Sequence, residues 1–373
     1  MLLGGVGLKI IIVSPKNRTV YNFRGDLIEE IKKKGHHVIV TGPDQTDIEK
    51  ILNLKVQFVE IPFNKKSFNV FGDIKYFFKL IKLFLKEKPD VTLSYTIKPV
   101  IYGSIAARMA GVKNINSMIT GGGYLFVSSS LKSKIIKIPA KMFYRLACWS
   151  SKNIIFQNKD DLKEFVDLRI VKKEKCKLVN GSGVNMKKFT PSPFPEVVTF
   201  FMLSRIIEGK GIKEYLEAAK VIKKEYPNTR FMLLGGVEKS TDSLGYNFLK
   251  PYIDAKIIDY YQETDNVKEF YEQCSVYVLP SYREGTPRTV LEAMAMARPV
   301  ITTDVPGCRE TVVNNKNGFL IPAKKSNPLV EKMKYYIKNQ NRIKEMGIES
   351  YNICLEKFDV DKVNKQMLDH MGI

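Results

Sequence analysis

The chain has 373 residues, 44% of them hydrophobic, and carries 60 Lys+Arg against 39 Asp+Glu. That is too long for one comfortable core and apolar enough to bury two, which excludes a disordered chain. The apolar runs are strand-sized, well short of the roughly 18–20 residues a membrane span needs. Five scattered cysteines without a CxxC pair, and only three histidines, argue against a structural zinc site and for a reducing, cytoplasmic setting.

The charge is unevenly placed. Residues 1–190 hold 34 Lys+Arg against 15 Asp+Glu, the remainder 26 against 24, and no carboxylate lies between Asp90 and Asp160. A half so one-sided predicts an anionic partner: nucleic acid, acidic lipid or a phosphorylated substrate. Zinc-finger spacing, RRM-type aromatics and a recognition helix are all missing, so specific nucleic-acid binding is not expected.

Residues 1–7 read as a leader without the charged start and cleavage site of a secretory signal. Gly4-Gly-Val-Gly7 precedes the first strand, the wrong order for a dinucleotide fingerprint. Strands are predicted at Lys9–Ser14, His37–Thr41, Val56–Ile61, Val91–Ser94, Asn114–Ile119, Asn153–Gln157 and Cys176–Val179, with an amphipathic helix over Asp26–Gly35. Strands alternating with helices predict a doubly wound α/β domain with a parallel sheet covered on both faces.

Two basic amphipathic helices interrupt this half. In Phe71–Lys86, Tyr76, Phe77, Leu80, Ile81, Phe84 and Leu85 form an apolar side, and Lys75, Lys79, Lys82 and Lys86 recur at three- and four-residue spacing. In Lys132–Arg145, which Pro139 should kink or interrupt, Ile135, Ile136, Ile138, Met142, Phe143 and Leu146 accompany Lys134, Lys137, Lys141 and Arg145. These basic residues suit an anionic membrane surface; a core helix with a solvated lysine face is the alternative.

Three alternate prolines in Thr190-Pro-Ser-Pro-Phe-Pro-Glu196 mark an extended connection. Strands resume at Val197–Leu203, Arg230–Leu234, Lys256–Asp259, Val276–Leu279, Pro299–Thr302 and Gly318–Ile321, so a second doubly wound domain begins near 190. Directly after its first strand, Ser204-Arg-Ile-Ile-Glu-Gly-Lys-Gly211 offers Arg205 and Lys210 to a phosphate.

The segment Pro280–Pro299 carries the chemistry. Thr286 is placed as N-cap and Pro287 as first helical residue, so the helix N-terminus makes an anion site from the turn Gly285, Thr286, Pro287 and Arg288. Glu284 and Glu292 would repel phosphate but suit vicinal hydroxyls, such as a sugar nucleotide presents on either side of its diphosphate. A helix with an acidic start and a solvated Glu292 is the alternative for these two alone.

With these residues in view, the chain resembles the retaining glycosyltransferases of family 4. Glu284 and Glu292 match the family's E-x7-E motif, and Arg205 and Lys210 its diphosphate-binding pair. Asp304–Thr311 and Asn317–Pro322 follow its C-terminal pattern. Tyr95–Gly103, Thr120–Phe126 and Val179–Asn185 look like members that extend bacterial surface glycans on a polyprenyl-diphosphate carrier. The resemblance implies a GT-B fold, two Rossmann-like domains facing a cleft: residues 8–190 for the acceptor and membrane, 191–373 for the donor, the last helix packing back on the first domain.

It further implies a transferase moving a hexose or N-acetylhexosamine from a UDP-sugar to a polyprenyl-diphosphate-linked glycan, peripherally bound at the inner face of the membrane. Glu284 would contact the donor sugar, Glu292 the ribose, and Arg205 and Lys210 the diphosphate. Thr120, Gly121, Gly122, Gly123 and Lys98 would lie near the sugar and acceptor. The loop at Thr120–Gly123 lacks the histidine that many members place there, so no protein general base is assigned. Neither metal nor resident cofactor is implied; Asp359-Val-Asp361 lies away from the motif. A GT-B sugar-nucleotide epimerase and a non-catalytic basic binding module are the competing classes.

Overall fold

A computed structural model describes residues 7–64, 70–121, 131–237 and 242–373, with backbone alone over 131–138. The chain divides into two compact units, Met1–Ser182 with Asp361–Ile373, and Gly183–Val360. Each is a parallel α/β layer structure.

In the first unit, β1 (Lys9–Val13), β2 (His37–Gly42), β3 (Gln57–Glu60), β4 (Val91–Tyr95), β5 (Asn114–Ile119), β6 (Asn153–Phe156) and β7 (Cys176–Leu178) form one sheet. Its order is β3-β2-β1-β4-β5-β6-β7, parallel throughout. Ile10, Ile11, Ile12 and Val13 are all fully buried, because helices cover both faces of this central strand. The helices are α1 (Asn17–Lys33), α2 (Ile48–Leu52), α3 (Val70–Glu87), α4 (Ser104–Met109), α5 (Leu131–Ser150) and α6 (Lys159–Asp167).

The second unit holds β8 (Thr199–Leu203), α7 (Ile212–Glu225), β9 (Arg230–Leu234), α8 (Tyr246–Asp254), β10 (Asp259–Tyr261), α9 (Lys268–Glu272), β11 (Val276–Leu279), α10 (Arg288–Ala295), β12 (Val300–Thr303), β13 (Gly318–Ile321), α11 (Ser326–Lys338) and α12 (Asn341–Ile353). Its sheet runs β10-β9-β8-β11-β12-β13, again all parallel. The last helix, α13 (Val360–Met371), belongs to the first unit. There Met367, Leu368 and Met371 share a core with Ile10, Val38 and Met118, and Asn114 and Asn153 donate to Met371 O and His370 O at 2.7 and 2.8 Å.

Several expectations shift. The chain changes unit after Ser182, ahead of the proline-rich segment, because Arg298 holds that segment inside the second unit. Fully buried, Arg298 donates to Ser192 O and Oγ (3.0 and 2.7 Å) and Pro193 O (2.9 Å), with its guanidinium 4.4 Å from the Phe194 ring centre. α1 begins at Asn17, not Asp26, since Val20 continues the buried stripe of Leu27, Ile28 and Ile31. β10 starts at Asp259, because Lys256 takes a left-handed φ of 53° and Ile257 still bonds back to Tyr252 O. α5 runs through Pro139 without a break.

In both sheets the connections reverse direction, between β1 and β4 and between β8 and β11. Such switch points leave a crevice at the carboxyl ends of the strands, where doubly wound sheets bind ligands.

Candidate active site

The loops after β8 and β11 meet at the switch point of the second unit. Gly211, with φ 76°, makes the approach possible: a Cβ there would lie 2.2 Å from Pro280 O. The Tyr282 amide donates to Gly209 O at 2.9 Å, the Ser281 hydroxyl oxygen lies 3.2 Å from the same carbonyl, and Tyr282 Oη donates to Glu214 at 2.7 Å. From the other side Gly307 presses on the turn; a Cβ would meet Glu284 O at 2.3 Å, while the Glu284 amide donates to Pro306 O at 3.1 Å. Three loops thus fix the backbone of Glu284.

Its side chain is fixed as well. Glu284 Oε1 forms an ion pair with Lys210 and accepts from Ser281 Oγ at 2.6 Å. Both members are largely buried, with side-chain exposures of 19% for Lys210 and 12% for Glu284. A hydrogen-bonded pair compensates the desolvation of two charges that neither could bear alone. Arg205 projects from the same loop and is exposed. Cys308, on the third loop, is inert as a nucleophile: burial, with a contribution from Glu284, pushes its thiol up to about 12.

Helix α10 starts one residue later than the motif suggests. Pro287, not Thr286, is the N-cap, at φ −71° and ψ 110°; its carbonyl accepts from Val290 N and Leu291 N at 3.0 and 3.3 Å. The Thr286 hydroxyl donates to Gly285 O at 2.9 Å and so does not cap the helix. The first-turn amides of Arg288 and Thr289 have no acceptor within the helix, which leaves a positive helix end beside Glu284 and Lys210.

Glu292 is not a solvated surface carboxylate; its side chain is 13% exposed. Arg288 Nε lies 3.4 Å from Oε1, and Tyr271 Oη donates to Oε2 at 3.1 Å. Burial raises the Glu292 pKa, opposed by the charge of Arg288, the Tyr271 hydrogen bond and the charge of Lys188. Tyr271 is fully buried and also lies 2.9 Å from Thr289 O. Sequence reasoning did not single out Ser281, Tyr271 or Lys188. Ser281 sits inside the motif and could have been found there; Tyr271 and Lys188 reach Glu292 only through tertiary packing.

In the first unit, Thr120 and Gly121 follow β5 at the carboxyl edge of the sheet; Gly122 and Gly123 lie outside the described residues. Lys98 is enclosed, donating to Asp73 Oδ1 at 2.6 Å and Asn64 O at 2.7 Å. Because Tyr102 Oη also reaches Asp73, at 3.3 Å, this cluster ties the helical turn after β4 to α3.

On α3 the core side is Tyr76, Leu80, Leu83 and Phe84, whereas Leu85, expected there, is exposed together with Phe71, Ile74 and Phe78. Lys75, Lys79, Lys82 and Lys86 are exposed on the same stripe. On α5, Met142, Phe143 and Leu146 are exposed, and Tyr144, Ala147 and Cys148 fill the core. Lys141 is half-buried, and Arg145 donates to Arg169 O at 2.9 Å; the side chains of Lys134 and Lys137 lie outside the described residues. Among the described residues no helix is long and apolar enough to cross a membrane.

Residues 187–352 match the family model for glycosyl transferases group 1, and residues 9–158 that for glycosyl transferase 4-like domains. The chain is 26% identical over 347 residues to the N,N'-diacetylbacillosaminyl-diphospho-undecaprenol alpha-1,3-N-acetylgalactosaminyltransferase of Campylobacter jejuni, covering 89% of this chain and 90% of the relative. It is 28% identical over 275 residues, 70% of each protein, to the UDP-Gal:alpha-D-GlcNAc-diphosphoundecaprenol alpha-1,3-galactosyltransferase of Escherichia coli. Among solved structures, Anabaena HepE in complex with UDP and glucose superposes with a TM-score of 0.78 at 16% identity, over 98% of this chain and 99% of that one. The two matched domains account for the second sheet, for the first up to β6, and for the loops that carry Lys210, Glu284 and Glu292: the chain belongs to the glycosyltransferases of GT-B fold, with a 4-like domain followed by a group 1 domain.

Proposed function

We propose that the protein transfers a hexose or N-acetylhexosamine from a UDP-sugar to a polyprenyl-diphosphate-linked glycan, with retention of anomeric configuration. One observation carries the reading. At a single switch point, two buried carboxylates eight positions apart flank a positive helix end, and each is held beside a cation, Glu284 by Lys210 and Glu292 by Arg288. The lipid-linked acceptor follows the activities of the Campylobacter and Escherichia relatives, and the UDP-sugar donor that of the Escherichia relative.

In this reading the diphosphate takes Lys210 away from Glu284, lying between Lys210, Arg205 and the first-turn amides of α10. The freed Glu284 carboxylate accepts from hydroxyls of the donor sugar, while Glu292 accepts from the ribose. As the bond between the anomeric carbon and the β-phosphate oxygen breaks, negative charge grows on the leaving UDP, where these preorganised cations stabilise it. The acceptor oxygen bonds to the anomeric carbon on the face the phosphate leaves. Its proton passes to a phosphate oxygen of UDP, so the step needs no protein base. The counter-charge is assigned to side chains and a helix end, without a metal ion.

The acceptor's lipid anchor calls for a membrane-facing surface, and we assign it to α3. Phe71, Ile74, Phe78 and Leu85 share one exposed stripe with Lys75, Lys79, Lys82 and Lys86, which suits a bilayer with anionic headgroups. Product from a UDP-sugar and a polyprenyl-diphosphate-linked sugar should show, by proton NMR, the donor's anomeric configuration. An inverted linkage would contradict the retaining step, and turnover of donor alone would make the protein an epimerase or hydrolase.

A further inference from the structure

The group at the donor site left with an unexplained cost is Arg288. It opens α10, its side chain is 10% exposed, and it faces Glu292 one turn on. The 3.4 Å contact is close enough for an ion pair but not aligned as a hydrogen bond, and neither Nε nor Nη1 has an acceptor although both are buried. Unsatisfied buried donors are costly, and a guanidinium that carries two in a native fold needs a reason. A surface helix pair would not supply it, since a lysine or glutamine could bridge to Glu292 without that cost.

We propose that Arg288 is the positioning residue of the ribose site: it holds Glu292 ionised and oriented to receive two ribose hydroxyls. This deepens, and rests on, the donor-site reading above. The requirement for ionisation is chemical. A carboxylate can accept from both hydroxyls of a vicinal diol, whereas a protonated carboxyl has one acceptor fewer and a competing donor. The groups facing Glu292 are Arg288 on its own helix, Tyr271 from α9, Tyr277 from β11 and Lys188 from the segment before the second sheet. The two tyrosines are fully buried and Lys188 is exposed, so Arg288 is the one buried cation among them. Burial pushes the Glu292 pKa up and Arg288 leads the opposition. Without Arg288 the pKa climbs further, and the carboxylate is lost first at the acidic end of the working range.

The test uses the whole protein and two ligands, UDP and 2',3'-dideoxy-UDP, whose phosphates titrate alike. The ratio of their dissociation constants therefore isolates the ribose contact. In the wild type the ratio should be about tenfold or more, the scale of losing hydrogen bonds to a charged group, and level from about pH 6 to about pH 8.5. Arg288→Met should let it fall toward one at the acid end and recover as the pH rises. Arg288→Lys keeps the charge and should keep the level profile, while weakening UDP binding about tenfold because the fork is lost. Glu292→Gln should give a reduced ratio at every pH.

An Arg288→Met ratio that is level and equal to wild type, or reduced equally at every pH, overturns the positioning role. Should that variant not fold, Arg288→Lys decides: wild-type UDP affinity would overturn it. A wild-type ratio of one would instead remove the ribose from Glu292, and with it the donor-site reading itself.

Discussion

Ser281 donates its hydroxyl to Glu284 at 2.6 Å, on the same carboxylate oxygen that Lys210 holds. With its second contact to Gly209 O at 3.2 Å, this fully buried hydroxyl joins the loops after β8 and β11 at the point where a donor would bind. When a diphosphate draws Lys210 off, Ser281 remains to orient Glu284. Ser281→Ala should therefore lower kcat by about tenfold, one hydrogen bond to a charged group, with little change in the affinity for UDP. Steady-state kinetics with varied donor would check this, and an unchanged kcat would make the contact merely structural.

Removing either member of the pair itself should cost more. Glu284→Gln and Lys210→Ala are each expected to lower kcat/KM by at least about a hundredfold, the scale of deleting one preorganised contact to developing charge. The measurement is sugar transfer under conditions where both variants retain the wild-type melting profile. Two fully active variants would remove Lys210 and Glu284 from the site of transfer.

The α3 stripe predicts binding to anionic vesicles. Clustered lysines at such a surface contribute about 1 kcal/mol each, so exchanging Lys75, Lys79, Lys82 and Lys86 for Gln should release most of the protein in a co-sedimentation assay. Phe71→Ser with Phe78→Ser should weaken binding in a salt-independent way, because these side chains lose apolar burial rather than charge. Neutral vesicles that bind equally well would contradict the assignment.

Arg298 is expected to matter for stability rather than chemistry. Its guanidinium serves Tyr271 O, Glu272 O, Ser192 O and Oγ, and Pro193 O, all from a fully buried position. Arg298→Met strands these acceptors and should cost about 3 kcal/mol or more, which corresponds to a melting transition roughly 6–12 °C lower for a unit of this size. Differential scanning calorimetry would resolve it, and a shift below about 2 °C would show that the segment packs without the arginine.

Thirteen strands were anticipated and the thirteen named strands lie close to those positions, because β-branched and aromatic runs between helical patterns are a local signal. What depended on a distant partner was not readable. Thr286 has the chemistry of an N-cap, yet its hydroxyl turns to Gly285 O, and Pro287 takes the position because the turn is braced by Gly307 and Pro306. Leu85 continues a plausible apolar face and is nevertheless exposed, since the core beside α3 is filled by Tyr76, Leu80, Leu83 and Phe84. Glu284 and Glu292 could be named from their spacing, but their separate environments, one beside Lys210 and the other under Tyr271, belong to the tertiary structure.

The central claim is sugar transfer between a nucleotide donor and a lipid-linked acceptor, and UDP release tests it most directly. Purified protein would be given a panel of UDP- and GDP-sugars, with and without a polyprenyl-diphosphate-linked sugar. The account predicts release from a UDP-sugar only when the lipid-linked acceptor is present. Release that ignores the acceptor, or that occurs from GDP-sugars alone, would contradict it.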